Sequence, residues 1–171
     1  MKRTSVLLLI VGWVVMTALP SSAQDATCPE FRGIVCDGWV TDDAGVIGDD
    51  VSLEDAAGRF VTTYGHEIAI VVVSSTGGID PRTFAEDLGN TWGVGDPTRN
   101  DGIVILVALA ERRTEIVTGS GLTLSGLDAV AAAGNPYFAN GNYTGGVAAI
   151  LTSLELNVSG GGGSDDGDAP A

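Results

Sequence analysis

The residues of this chain best suited to chemistry are carboxylates. Asp42 and Asp43, Asp96, Asn100 and Asp101, and Asp128 all fall on predicted loops or helix starts. Hard oxygen donors of this kind, with loop carbonyls, are the usual ligands of calcium or magnesium. No contiguous calcium-binding loop is present, so such a site would be assembled from distant segments. The same acids would equally suit a solvated acidic surface. Other chemistries find less to work with. His66, the one histidine, stands between Gly65 and Glu67 without a Gly-x-Ser-x-Gly nucleophile motif to serve. A zinc site has two cysteines and one histidine to draw on, far apart. Gly93-Val-Gly95 and Gly119-Ser-Gly121 read as turns and not as a dinucleotide fingerprint.

These groups need a frame. Ile68–Val73 and the run 103–109 are continuously apolar and rich in β-branched residues, as strands buried on both faces are. The polar loop 92–102 feeds the second of them and carries two glycines, a proline and an Asn-Asp-Gly turn. Residues 39–45 read as a short extended piece ending in an acidic turn. Ser52, with Asp55 three residues on, starts a helix whose stripe of Leu53, Ala56, Ala57, Phe60, Val61 and Tyr64 ends at Gly65. Asp80 and Pro81 open a second helix that Gly93 stops near Trp92. Strand, helix and strand then predict a right-handed βαβ unit with parallel strands. After the turn at Glu111-Arg112-Arg113, the segment 114–118 alternates as an edge strand would. Helices over 122–133, ended by Gly134 and Pro136, and over 143–156 complete a small mixed sheet with helices on both faces.

Composition narrows the setting. Lys2 and Arg3 precede an apolar stretch over 6–19, and Pro20-Ser-Ser-Ala23 follows with small residues, so 1–23 read as a secretory signal peptide. No later apolar stretch is long enough to cross a bilayer. Beyond the leader stand six arginines against 22 acidic residues, a body near −16. Such a charge disfavours nucleic acid and anionic membrane surfaces and suits divalent cations. Cys28 and Cys36, eight positions apart in an exported chain, predict a disulfide tethering an N-terminal segment over 24–38 as a flap. The tail 158–171, dominated by glycine and aspartate, cannot bury a core and reads as disordered.

Two indications of where a site lies point to different edges of the sheet. Parallel α/β sheets bind ligands beyond the carboxyl ends of their strands, which selects Ser74, Ser75, Thr76 and Glu111. Asp101 instead precedes its strand, at the opposite edge, where Gly119, Gly121 and the start of the Asp128 helix would be neighbours. The residue types favour neither edge over the other.

The order of features resembles the TPM domain family. Val40-Thr-Asp42-Asp-Ala-Gly-Val-Ile47, Glu67-Ile-Ala-Ile-Val-Val-Val73 and Phe84-Ala-Glu-Asp-Leu88 are similar to its opening. Trp92-Gly-Val-Gly95, Asn100-Asp-Gly-Ile-Val-Ile-Leu-Val107, Arg113, Gly119-Ser-Gly-Leu122, Leu127-Asp128, Pro136-Tyr-Phe138 and Gly141-Asn-Tyr143 continue it. The resemblance covers a domain over 39–157 and implies a three-layer α/β/α sandwich with a small mixed, mostly parallel sheet. The family includes thylakoid-lumen proteins linked to photosystem II repair, worm acetylcholine-receptor modulators, and bacterial exported or membrane-tethered proteins. It implies a shared cation site at Asp42, Asp101 and Asp128, with Asn100 and Asp43 adjacent. Calcium is the expected ion, with magnesium open. Asp101, on the rim formed by 92–102, is the expected principal ligand.

Two functions follow from these readings. The first is an extracytoplasmic, calcium-binding accessory module that docks on an unidentified protein partner at a membrane-associated assembly. The second is a divalent-assisted acid phosphatase, an activity that the resemblance brings from the plant branch. In it a metal-bound water would attack, and Arg99, Arg112 or Arg113 would steady the phosphoryl oxygens.

Overall fold

A computed structural model describes residues 28–160 of the 171. The predicted leader and most of the predicted tail lie outside the described residues. Four strands form one sheet in the order β1-β2-β3-β4: Val40–Asp42 (β1), Ile68–Val73 (β2), Ile103–Ala108 (β3) and Arg113–Thr118 (β4). The first three run parallel and β4 returns antiparallel, with Ala108 opposite Arg113 and Ile103 opposite Thr118. Every residue of β2 and β3 is buried, which is why both appear in the sequence as unbroken apolar runs.

The pleat sends alternate side chains to two separate cores. Ile68, Ile70 and Val72 of β2, with Ile103, Ile105 and Val107 of β3, meet helices α1 (Asp50–Tyr64), α3 (Leu127–Ala132) and α5 (Tyr143–Ser159). Phe60 is fully buried at the centre of this layer. On the other face Val71, Val73, Val104 and Leu106 pack beneath α2 (Pro81–Trp92) through Phe84, Ala85 and Leu88. The architecture is therefore the expected α/β/α sandwich with a mixed, mostly parallel sheet.

The hand of the connections has a further feature. β1, β2 and β3 are parallel and adjacent in sequential order, yet α1 covers one face and α2 the other. Two right-handed crossovers running in the same direction would place both helices on one face. The β1–β2 and β2–β3 connections thus have opposite hands, and one of the two is the rare left-handed form.

Local chemistry explains the element ends, with some shifts from expectation. Asp80 caps α2 by accepting from the amides of Arg82 and Thr83, and Gly93 closes it in the left-handed region at φ 70°. For α1 the cap is Asp49 and not Ser52. The Asp49 carboxylate accepts from the Ser52 amide at 3.1 Å and from its hydroxyl at 2.7 Å, so Ser52 is the third helical residue. The single helix expected over 122–133 is shorter. Gly126 turns left-handed at φ 67°, and only α3 follows. Pro136 sits in the first turn of a separate short helix, α4 (Asn135–Phe138), where its missing N–H costs nothing.

Cys28 and Cys36 are joined, with Cα atoms 5.9 Å apart. The loop they close is not a flap. Phe31 and Ile34 pair across a tight turn and are buried in the α2-side core, and the Phe31 ring meets Phe84 edge-on at 5.1 Å.

Candidate functional site

The two crossovers part at the carboxyl ends of β1 and β2. The chain leaving β1 turns to one face of the sheet and the chain leaving the adjacent β2 turns to the other. Between neighbouring strands whose connections part in this way, open α/β sheets form their ligand sites. The carboxyl ends of β1 and β2 are such a switch point, and both are bordered by acids.

Asp42 closes β1 opposite Val72. Its Oδ2 accepts from the Ile47 amide at 2.6 Å, which folds the acidic turn back on itself. Its Oδ1 is buried and has no hydrogen-bond partner. A buried carboxylate oxygen left this way is costly unless a cation or water completes it. On the far side of the β2 exit stands Glu111. Its Oε1 accepts from the Ser75 hydroxyl at 2.7 Å and from the Thr76 amide and hydroxyl at 3.0 and 3.1 Å. The Ser75 hydroxyl foremost, and then the amides, hold this carboxyl below its ordinary range against the effect of burial. Glu111 Oε2 is buried without a partner as well. Asp43 is exposed beside Asp42. Among the described residues no group of three or more His, Cys, Asp or Glu side chains converges. A cation here would therefore rest on Asp42 with loop carbonyls and water, a donor set of the hard kind that calcium accepts.

Asp101 is in a different place with different work. It lies before β3, whose first residue Ile103 is opposite Ile68, while Asp42 is opposite Val72. About 13 Å of strand separates the two levels. Asp101 is buried and fully partnered: Arg99 Nε lies 2.6 Å and His66 Nδ1 3.0 Å from Oδ2, and the Asp96 amide donates to Oδ1 at 3.2 Å. The Arg99 guanidinium, ahead of the Asp96 amide and His66, holds the carboxyl down at about 2 despite its burial. The second Arg99 terminus donates to the Gly65 carbonyl at 3.0 Å. This is a lock that joins the end of α1 to the 92–102 loop.

Asn100 belongs to the same lock. Its backbone is left-handed at φ 50°, its carbonyl accepts from the Gly121 amide at 2.7 Å, and its amide nitrogen donates to the Ser120 hydroxyl. The expected proximity of Gly119 and Gly121 to this loop is present, and it is tight. A Cβ on Gly121 would stand 1.7 Å from the Arg99 carbonyl, and one on Gly102 would stand 2.1 Å from the Val94 carbonyl. Asp128 does not join them. It lies exposed in the first turn of α3, within electrostatic reach of Arg113 at the start of β4. The six candidate positions are thus divided between two edges.

One structural carboxylate carries no signal in the sequence. Glu54, on α1, accepts from the Trp39 and Val40 amides at 2.9 and 2.7 Å and so fixes the start of β1, the strand that Asp42 ends. An acid on an amphipathic helix looks like any solvated residue until the strand is laid against it.

A family model described as TPM domain matches residues 40–156. Among solved structures, the N-terminal domain of a protein from P. gingivalis is 26% identical, with a TM-score of 0.64 over 72% of this chain and 83% of that one. The N-terminal domain of the cg2496 protein from Corynebacterium glutamicum is 23% identical, with a TM-score of 0.57 over 82% of this chain and 88% of that one. No curated protein matches the chain.

Proposed function

The chain belongs to the TPM domain family, and on that footing we propose that it is an extracytoplasmic accessory module that binds a divalent cation, calcium first, at the carboxyl edge of its sheet. The observation that carries the reading is Asp42 Oδ1, buried without a partner at the β1–β2 switch point. Asp43 and the carbonyls of the following turn complete the proposed donor set, and water fills the rest. Asn100 and Asp101 are not part of it, because their polar atoms are committed to the lock at the opposite edge. The disulfide supports an oxidising compartment. No helix among the described residues is long and apolar enough to cross a membrane. The proposed docking on a membrane-associated assembly is through a protein partner. The exposed Tyr137 and Leu156 are suitable contacts.

Titration calorimetry of the purified protein with calcium chloride, and with magnesium chloride in parallel, tests the reading. Calcium binding should raise the melting temperature, by an amount equivalent to about 2.7 kcal/mol at one hundred times Kd. Asp42→Asn should abolish both the heat and the shift, while Asp101→Asn should leave the calcium affinity in place. Absence of heat together with an unchanged melting temperature would overturn the cation site.

A further inference from the structure

A cavity of about 530 Å³ opens at the carboxyl edge, beneath the turn that joins β3 to β4. Val107 and Leu109 line one side, and Phe138 and Tyr143 form an aromatic wall, their rings stacked at 5.7 Å and 28°. Arg112, Arg113, Thr114 and Asn135 supply polar groups to the lining. The volume lies in the range of small-molecule sites, which are mostly apolar with a few polar groups that fix orientation.

Arginine is scarce in this acidic chain, and three of the six beyond the leader are held in ion pairs. Arg82 and Arg113 pair with Glu115, and Arg99 pairs with Asp96 and Asp101. Arg112, beside the paired Arg113, is in no ion pair with a carboxylate among the described residues. Its backbone is held in the left-handed region at φ 49°, at a cost of about 1–2 kcal/mol for an L-residue. That conformation closes the turn so that consecutive side chains part company. Glu111 reaches the Ser75–Thr76 segment and Arg112 lines the cavity.

We propose that this cavity binds a small organic monocarboxylate with a flat apolar body. The guanidinium fork of Arg112 takes the carboxylate in two parallel hydrogen bonds, with the Asn135 amide beside it. The apolar body lies between the aromatic wall and the end of β3. One unpaired guanidinium neutralises one charge. A phosphate dianion would bring a second charge that Arg113, committed to Glu115, does not meet, into a chain of net charge −14. Charge count therefore selects the monoanion. The site is distinct from the proposed cation site in its residues and in its ligand.

The test is an NMR titration of the purified protein at pH 7 with benzoate, benzamide and phenyl phosphate. Benzoate should shift the ring resonances of Phe138 and Tyr143, and Arg112→Gln should weaken it about tenfold or more, as loss of a charged hydrogen bond does. Arg59→Gln, away from the cavity, should change nothing. An acetylated dipeptide ending in phenylalanine separates the sources: binding as tight as benzoate marks a peptide terminus, and exclusion of the dipeptide marks a free acid. Equal binding of benzamide, tighter binding of phenyl phosphate, or an Arg112→Gln protein that binds benzoate as well as the wild type would overturn the proposal. Calcium calorimetry on the same Arg112→Gln protein should be unchanged, so failure here is distinguishable from failure of the cation site.

Discussion

His66 Nδ1 and Asp101 Oδ2, 35 positions apart in the chain, lie 3.0 Å from each other at the amino edge of the sheet. The contact joins the residue just after the α1 cap to a residue two positions before β3. Arg99 reaches the same oxygen, and so one buried carboxylate ties three segments together. Carboxylates of this kind resemble metal ligands in sequence and behave as cross-links in the fold.

Asp101→Asn should therefore destabilise the protein without touching calcium affinity. The neutral amide keeps the shape and loses the charge-assisted bonds, at a cost of about 1.5–3 kcal/mol. Urea denaturation of the two proteins, compared at their midpoints with slopes unchanged, measures it.

The same carboxyl sets a pH dependence. Its folded value of about 2 lies below the ordinary 3.8, so the folded state holds the proton less readily than the unfolded chain. The stabilisation is complete above the ordinary value, and it is lost as pH falls from about 4 through about 2. Thermal melts across that window should show a steep loss in the wild type and a shallower one in Asp101→Asn. Identical slopes would remove Asp101 from the account.

Glu54→Leu should cost about 2–3 kcal/mol, because two backbone amides at the start of β1 lose their acceptor. Since β1 carries Asp42, the variant should also weaken calcium binding while leaving Asp42 in place. Loss of stability with an unchanged calcium affinity would separate the strand's anchoring from its aim.

Replacing Cys28 and Cys36 by serine should remove about 2–3 kcal/mol, the entropy of closing so short a loop. It should further loosen Phe31 and Ile34 from the α2-side core. Binding of a hydrophobic dye by the double variant, absent from the wild type, would report the bared patch.

Much of the frame was legible in the sequence because its causes are local. β2 and β3 announce themselves as unbroken apolar runs, and Asp80, Pro81 and Gly93 bracket α2 through backbone chemistry within a few residues. What depends on distant neighbours was not. Asp49 outcompetes Ser52 as the α1 cap only once the incoming chain bends. The hand of the crossovers follows from which face each helix covers, and no residue spells that out. Asp42, at the end of β1, and Asp101, on the loop before β3, are the same residue type in similarly polar sequence surroundings. One keeps an oxygen without a partner and the other is bound on both oxygens, since Arg99, two positions before Asp101, folds back onto it.

The opposed crossovers also bear on the birth of the chain. By the time Trp92 has been synthesised, α1 is able to shield one side of β2 and α2 the other. Were both helices on one side, the six apolar residues of β2 would wait, half bare, for the last helix to arrive. A chain that emerges from its amino end can thus cover both faces of β2 before β3 follows, which shortens the interval in which these apolar residues can meet another chain.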